Sequence, residues 1–224
     1  MALTLYFHPL SGFCQKVLVA LYENETPFTP QLVDFGDPVQ RADFLKLWPI
    51  GKFPLLRDDR LGKLVPETSL IIEHLALHYP GPVALLPRDP VAALEVRRLD
   101  RLLDLYVAIP MQKVVLDRLR PEGGHDPAGV AEARELLACT YAVLEAELDG
   151  RQWLAGDDFT LADCSAAPAL FYGERALSFQ AGYPRLAAYF ERLRTRPSYA
   201  RALREAEPYF HFFPRGEGDA GLSR

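Results

Sequence analysis

The chain has 224 residues, 49% of them hydrophobic and 25% charged, which is enough to bury one large core or two smaller ones and excludes disorder of the whole chain. Its formal net charge of -5 offers no broad electrostatic attraction to phosphate backbones, so we expect no nucleic-acid partner. No stretch approaches the ~20 apolar residues of a membrane span, and the first residues lack a basic leader, so we expect no membrane insertion and a cytoplasmic location.

The first 80 residues change their hydrophobic period repeatedly, which is typical of a small mixed sheet covered by helices. In the first helix we expect Lys16 and Glu23 to face solvent, because the apolar residues form the opposite face. The predicted elements, in chain order, are a strand at 3–7, a helix at 13–23, a strand at 28–33, a helix at 42–47, strands at 55–56 and 63–65, and a helix at 67–79.

A proline-rich join follows, because Pro80, Pro82, Pro87 and Pro90 cannot continue either neighbouring helix. We therefore predict an α/β domain over residues 1–80, an all-helical domain over 91–213 and a flexible polar tail over 214–224.

The next apolar residues, between positions 94 and 114, recur near the helical period of 3.6. We expect the charged residues among them, including Asp100, Arg101 and Asp104, to face away from that apolar stripe. Pro110 is expected to kink the helix.

Ser11-Gly12-Phe13-Cys14 lies at the turn between the first strand and the first helix. Serine is a preferred N-cap, so Ser11 can be a plain helix cap. Cys14 lies near the same helix N-terminus, where thiols become acidic, or it can be a buried small residue. With Cys139 and Cys164 it forms an odd, widely spaced set that fits neither a disulfide framework nor a zinc site, so reduced thiols are expected.

This turn, followed by Phe53-Pro54 and then by Glu67-Thr68 at a helix start, resembles the cytosolic glutathione transferases, in particular the theta and zeta classes. The resemblance covers about residues 3–200. It implies a thioredoxin-like α/β domain joined to an all-α helical bundle, a homodimer, and a catalytic serine at Ser11. In redox relatives of this fold, the position of Ser11 holds the first cysteine of CxxC, so the hydroxyl favours group transfer over disulfide exchange.

In the implied reaction the nucleophile is the thiolate of bound glutathione rather than a protein atom. A free thiol of pKa ~8.5 is largely protonated at neutral pH. Lowering that pKa by about two units requires ~2.7 kcal/mol of preferential anion stabilisation. The N–H groups of a helix N-terminus and a serine O–H donor are suited to supply it, so neither a metal nor a general base is expected.

The same resemblance implies the other glutathione contacts. The backbone of Phe53, before a cis Pro54, would pair with the cysteinyl backbone, and Lys52 would reach the glycyl carboxylate. Thr68, at a helix N-terminus, would hold the γ-glutamyl carboxylate, while Glu67 pairs with its ammonium. Each has a simpler alternative: an ordinary trans proline, a solvated lysine, and a threonine that only caps its helix.

The second substrate is expected to be a small hydrophobic electrophile in an apolar hollow between the domains. Phe13, Tyr106 and Met111 are the candidates for its walls, and the aromatic residues 209–213 could form a lid. Ordinary core packing is the alternative for all of them. Two further functions remain open: a glutathione-dependent disulfide or peroxide reductase using Cys14 or bound thiols, and a non-catalytic glutathione-binding protein.

Two further patterns concern structure and metal binding. Thr160 and Asp163 form a predicted capping box at the start of a buried helix, with a role in folding. His74 and His78 are four residues apart, but no third ligand is evident, so we expect a polar helix face rather than a metal site.

Overall fold

A computed structural model describes residues 2–214 and 216, and shows an α/β half followed by a helical half. The predicted tail at 214–224 therefore lies, apart from residues 214 and 216, outside the described residues. The sheet has the strand order β2-β1-β3-β4. The β1–β2 pair is parallel, and β3 runs antiparallel to both β1 and β4. The strands are β1 (Leu3–Phe7), β2 (Thr29–Leu32), β3 (Leu55–Asp58) and β4 (Lys63–Pro66).

Three helices cover this sheet: α1 (Gly12–Glu23), α2 (Pro38–Leu47) and α3 (Thr68–His78). Helix α2 begins four residues earlier than the sequence predicts. The cause is local, because the Asp37 carboxylate caps the helix by accepting hydrogen bonds from the backbone N–H of Val39 (2.8 Å) and Gln40 (3.4 Å). Proline at the first helical position adds to the signal.

The helical half begins at α4 and is joined to the sheet half by a continuous hydrophobic core, which contains buried residues of both. Among the described residues, no helix is both long enough and apolar enough to cross a membrane. The helical half contains α4 (Pro90–Leu103), α5 (Ile109–Asp117), α6 (Pro127–Glu147), α7 (Leu161–Ala176), α8 (Pro184–Thr195), α9 (Pro197–Ala206) and a 3₁₀ segment (Glu207–Phe212).

Helix α1 is buried between the two halves, packing against α3 on one side and against α7 and α9 on the other. The prediction that Lys16 and Glu23 face solvent is therefore wrong. Lys16 is only 1% exposed. Glu23 accepts two hydrogen bonds of 2.6 Å from the guanidinium of Arg196 and one from the hydroxyl of Ser198. Amphipathic spacing failed here because both polar residues meet partners on the helical half.

A π-helical segment, Asp104–Ala108, joins α4 to α5 immediately before Pro110. The N–H of Ile109 bonds to the carbonyl of Asp104, five residues back. A widened turn therefore lies just before the proline at which a kink is expected, and such turns are frequent at functional sites.

The predicted capping box at α7 is confirmed. The backbone N–H of Thr160 donates to the Asp163 carboxylate (2.8 Å), and the N–H of Ala162 donates to the Thr160 hydroxyl (3.3 Å). Asp163 also accepts from the N–H of Leu154 (2.9 Å) and from the hydroxyl of Tyr189 (2.6 Å). One fully buried carboxylate therefore ties the start of α7 to the preceding loop and to α8.

We expect Asp163→Ala to lower the free energy of unfolding by about 3 kcal/mol or more, because it leaves several buried donors without a partner. Chemical denaturation measures this loss, with Asp158→Ala, an exposed neighbour, as the control. A variant that keeps its stability but loses activity would contradict the folding role.

Candidate active site

A cavity of about 520 Å³ lies between the sheet half and the helical half, a size typical of small-molecule sites. Seven residues predicted from the sequence line it, although they are spread over nearly sixty positions: Ser11, Phe13, Lys52, Phe53, Pro54, Glu67 and Thr68. The remaining walls are formed by Phe35, Trp48, Gly51, Arg101, Asp104, Leu105, Ile109 and Gln112.

Ser11 is the N-cap of α1, directly at the cavity. Its hydroxyl oxygen accepts a hydrogen bond from the backbone N–H of Cys14 (3.4 Å), and its own N–H donates to the carbonyl of His8 (3.0 Å). Because a hydroxyl can accept and donate at once, this cap leaves the Ser11 hydrogen available for a ligand. The capping role and the proposed chemical role are therefore compatible.

The loop before Ser11 is fixed from the helical half. Tyr172 of α7 donates its hydroxyl hydrogen to the carbonyl of Leu10 (2.7 Å). The side-chain amide of Gln15 donates to the carbonyl of Pro9 (2.9 Å) and to the Tyr172 oxygen (3.1 Å). Since both side chains are buried, the backbone that carries Ser11 is held at two consecutive carbonyls.

Cys14 faces the interior rather than the cavity and is fully buried. Burial raises its thiol pKa to about 12, and hydrogen bonding with the Ser11 side chain and the His8 backbone only partly opposes that shift. A thiol with this pKa is almost entirely protonated at neutral pH and is a poor nucleophile. The other predicted role for Cys14, a buried small residue, is the one the structure shows.

Phe53-Pro54 is a cis peptide bond, as the resemblance implied. The Phe53 ring packs edge-on against Phe35 (5.1 Å between ring centroids) and lies 6.4 Å from the His8 ring. These contacts hold the segment at the cavity wall. Lys52, one residue earlier, is exposed at the same cavity.

Glu67 and Thr68 lie where α3 begins. Glu67 has a φ of 67°, in the left-handed region that a non-glycine residue adopts at a cost of order 1–3 kcal/mol. Its side chain makes no capping hydrogen bond. Thr68 is buried at the first position of the helix, with its side chain at the cavity. Backbone strain of this kind clusters at ligand sites.

The three residues expected to bind the electrophile lie in three different places. Phe13 lines the cavity. Met111 instead lines a smaller adjoining crevice of about 30 Å³. Tyr106 lines neither and is 47% exposed, because its position in the π-helical segment turns it away from both.

The aromatic residues 209–213, expected from the sequence as a lid, are not part of the cavity lining. The Tyr209 ring packs edge-on against His8 (5.0 Å between ring centroids), Phe210 stacks on Phe171 and Phe213 stacks on Tyr172. The segment is therefore packed mainly on α7.

The residues by which the helical half lines the cavity were not predicted from the sequence. Asp100 and Asp104 were expected to face away from the apolar stripe, but both are buried. A signal was present, since Asp100 follows Leu99 and lies four residues after the buried Val96, which places it on the inner face.

These two carboxylates surround the buried Lys16 of α1. The Lys16 ammonium lies 2.6 Å from Asp100 Oδ1 and 2.9 Å from each oxygen of Asp104, and it donates to the Ser69 hydroxyl (3.0 Å). Ser69 and Ser165 each donate to Asp100, at 2.7 and 2.5 Å. Burial raises the pKa of Asp104, as does Asp100, against the effect of Lys16.

His74 has a structural partner. Its Nε2 lies 2.9 Å from the fully buried carboxylate of Asp58, which also accepts from the hydroxyl of Tyr79 (2.8 Å). The expected open polar face is thus only partly right, since the His74 side chain is mostly covered. Within residues 2–214 and 216, no group of three or more His, Cys, Asp or Glu side chains is placed to hold a metal ion.

Comparison with known proteins agrees with this geometry. Residues 5–83 match the family model "Glutathione S-transferase, N-terminal domain", and residues 105–197 match "Glutathione S-transferase, C-terminal domain". The chain is 30% identical to FtsZ-localized protein A of Caulobacter vibrioides over 92% of each chain. It is 27% identical to the glutathione S-transferase GstB of Escherichia coli K12, over 90% of this chain and 97% of that one.

Among solved structures, a glutathione S-transferase from Methylobacillus flagellatus with glutathione bound superimposes with a TM-score of 0.81. The two are 27% identical, over 89% of this chain and 98% of that one. With both halves matched in sequence and the whole fold in structure, the chain belongs to the glutathione S-transferase family.

Proposed function

We propose that this chain is a glutathione transferase in which Ser11 stabilises the thiolate of bound glutathione for attack on a small hydrophobic electrophile. The observation that carries the proposal is the meeting of two helix N-termini, those of α1 and α3, at one cavity. Helix N-termini attract anions, and glutathione brings a thiolate and carboxylates.

The thiolate would lie at the N-terminus of α1. The free hydrogen of the Ser11 hydroxyl would donate to the sulfur while the helix dipole favours its negative charge. Because the loop is fixed by Tyr172 and Gln15, little reorganisation is needed when the charge forms.

The charged ends of glutathione have complementary partners around the same cavity. The buried Thr68 and the N-terminus of α3 would hold the γ-glutamyl carboxylate, and the exposed Glu67 carboxylate would pair with the ammonium. The Phe53 backbone would pair with the cysteinyl unit, and Lys52 would reach the glycyl carboxylate. Phe13 and the apolar residues of the helical half would then face the electrophile.

A reductase that uses Cys14 is disfavoured by the burial and high pKa of that thiol. A non-catalytic binding role is separated from transfer by experiment, because both would show glutathione binding and only transfer would show turnover. The location that we propose is the cytoplasm, as expected from the sequence.

We also propose that the chain forms a homodimer through α3 and α4. These helices are neighbours, since Arg97 of α4 forms a bidentate ion pair with Glu73 of α3. Both expose large apolar side chains, and such patches mark interaction surfaces. The exposed residues are Leu70 and Leu77 on α3 and Val91 and Leu94 on α4.

Ser11→Ala should raise the thiol pKa of bound glutathione and lower kcat/KM by about 10- to 100-fold, the value of a hydrogen bond to a charged group. Since thiolate is present above the thiol pKa, the rising limb of the pH profile should move to higher pH. Thiolate absorbance and conjugation of 1-chloro-2,4-dinitrobenzene measure both effects.

Cys14→Ala is the matched control, because it removes the neighbouring thiol and leaves the Ser11 hydroxyl in place. It should leave the thiol pKa of glutathione unchanged. Loss of activity in this variant alone would overturn the assignment of Ser11. Binding of glutathione in a calorimetric titration, with no turnover of any electrophile, would favour the non-catalytic role.

Iodoacetamide at pH 8 should label only Cys139 in the folded protein, because Cys139 is exposed while Cys14 and Cys164 are fully buried with raised thiol pKa values. Mass spectrometry of peptides identifies the labelled positions, and unfolding in guanidinium should expose all three. Rapid labelling of Cys14 in the folded state would instead support the reductase.

Leu70→Glu with Leu77→Glu should convert the dimer to a monomer, because charged groups would enter an apolar contact. Light scattering coupled to gel filtration gives the mass. Leu119→Glu, at an equally exposed leucine beyond α5, should leave the dimer intact. A monomeric unmodified protein would contradict the proposal.

A further inference from the structure

Three arginines of α4 differ in how their charge is used. Arg97 is satisfied by Glu73, with both hydrogen bonds at 2.8 Å. Arg98 is satisfied by Glu95, at 2.8 and 2.6 Å, and by Glu147 at 2.6 Å. Two of the three guanidinium groups are therefore engaged in structural ion pairs.

Arg101 differs from the other two arginines of α4. Its nearest carboxylate is Asp104, whose Oδ2 lies 3.7 Å from Nη1, beyond hydrogen-bond distance. Asp104 takes its hydrogen bonds from Lys16 instead, at 2.9 Å to each oxygen, and Lys16 is shared with Asp100. The Arg101 side chain is 56% exposed and lines the cavity that contains Ser11.

From this geometry we infer that Arg101 is a specificity residue for an electrophile that carries an anionic group, a carboxylate in the simplest case. The inference rests on the proposed glutathione transfer and adds the class of the second substrate. A guanidinium presents a planar fork of N–H donors that matches a carboxylate with two parallel hydrogen bonds.

The charges of glutathione do not account for Arg101. Its two carboxylates are assigned to Lys52 and to the N-terminus of α3, and its ammonium to Glu67. All three of these sites belong to the sheet half, whereas Arg101 belongs to the helical half, as do Leu105, Ile109 and Gln112. Arg101 thus supplies a cation on the wall left for the electrophile.

The neighbours of Arg101 define the rest of such a substrate. Leu105 and Ile109 follow it at successive four-residue steps and offer apolar surface, and Phe13 faces them from the other half. Gln112 adds an amide that can donate or accept. The wall therefore suits an apolar body with one anionic end, and a neutral hydrocarbon would leave the guanidinium unused.

The test compares 4-chloro-3,5-dinitrobenzoate with its methyl ester, which differ in the anionic group and share the reacting carbon. In both, the glutathione sulfur forms a bond to the carbon bearing chlorine, chloride leaves with the bonding electron pair, and the thiol proton goes to solvent. The protein is expected to prefer the acid over the ester by about tenfold in kcat/KM, after correction for the uncatalysed rates.

Arg101→Gln should remove that preference while leaving the rate with the ester and the KM for glutathione unchanged. Arg101→Lys, which keeps the charge without the fork, should restore part of the preference. Arg98→Gln is the control on the same helix, since Arg98 lies outside the cavity lining, and it should keep the full preference.

The alternatives give distinct results. Equal rates with acid and ester in the unmodified protein would overturn this inference and leave the transferase activity standing. A raised KM for glutathione in Arg101→Gln, with equal loss for both electrophiles, would assign Arg101 to the glutathione site and also overturn it. No turnover of either compound and no binding of glutathione would overturn the proposed function, and this inference with it.

Discussion

The arrangement of the cavity depends on one buried cation, the Lys16 ammonium, held between Asp100 and Asp104. Lys16 lies on α1, five residues after Ser11, and its other partner, Ser69, directly follows Thr68 on α3. The two helices whose N-termini face the cavity are thus joined to the same pair of carboxylates on the helical half. A change in the position of α4 would move both N-termini.

Such a cluster is a poor source of stability, because removing three charges from water costs energy that their attraction only partly returns. What it adds is selectivity between arrangements. Any sliding of α1 against α4 would separate Lys16 from Asp100 and leave buried charges without partners, which is strongly destabilising. A hydrophobic contact of the same area would tolerate the slide far better, since apolar packing is non-directional. The cluster therefore fixes the width of the cavity.

The burial of α1 also separates the surroundings of Ser11 from those of Cys14. With α1 buried between the two halves, its first turn is presented to the cavity, while Cys14, one turn further, is enclosed by the core. The burial that raises the pKa of Cys14 to about 12 also keeps water from the following residues of α1, up to Leu21. The N-terminus of α1, which favours negative charge, therefore lies at the cavity, whereas the Cys14 thiol three residues later is enclosed and protonated.

Much of the sheet half could be predicted from the sequence, because its signals are local. Proline and glycine separate short elements of changing period, and Ser11, Phe53-Pro54 and Glu67-Thr68 each lie at a boundary between elements. The residues that were misplaced, Lys16, Glu23, Asp100 and Asp104, share a different property. Each is polar, lies on a helix and is buried only because a partner from a distant part of the chain meets it. Periodicity within one helix contains no information about that partner.

The absence of Tyr106 from the cavity lining has a separate origin, in the backbone itself. The cavity-facing residues Arg101, Leu105 and Ile109 follow at steps of four, and in a regular α-helix each step overshoots a full turn by about 40°. Over two such steps, Ile109 would rotate away from the wall that carries Arg101. The widened turn at Asp104–Ala108 takes up more residues, and so keeps Arg101 and Ile109 on one wall. A regular helix through the same sequence would bring other residues to that wall, whereas in the structure Leu105 lines the cavity and Tyr106 does not.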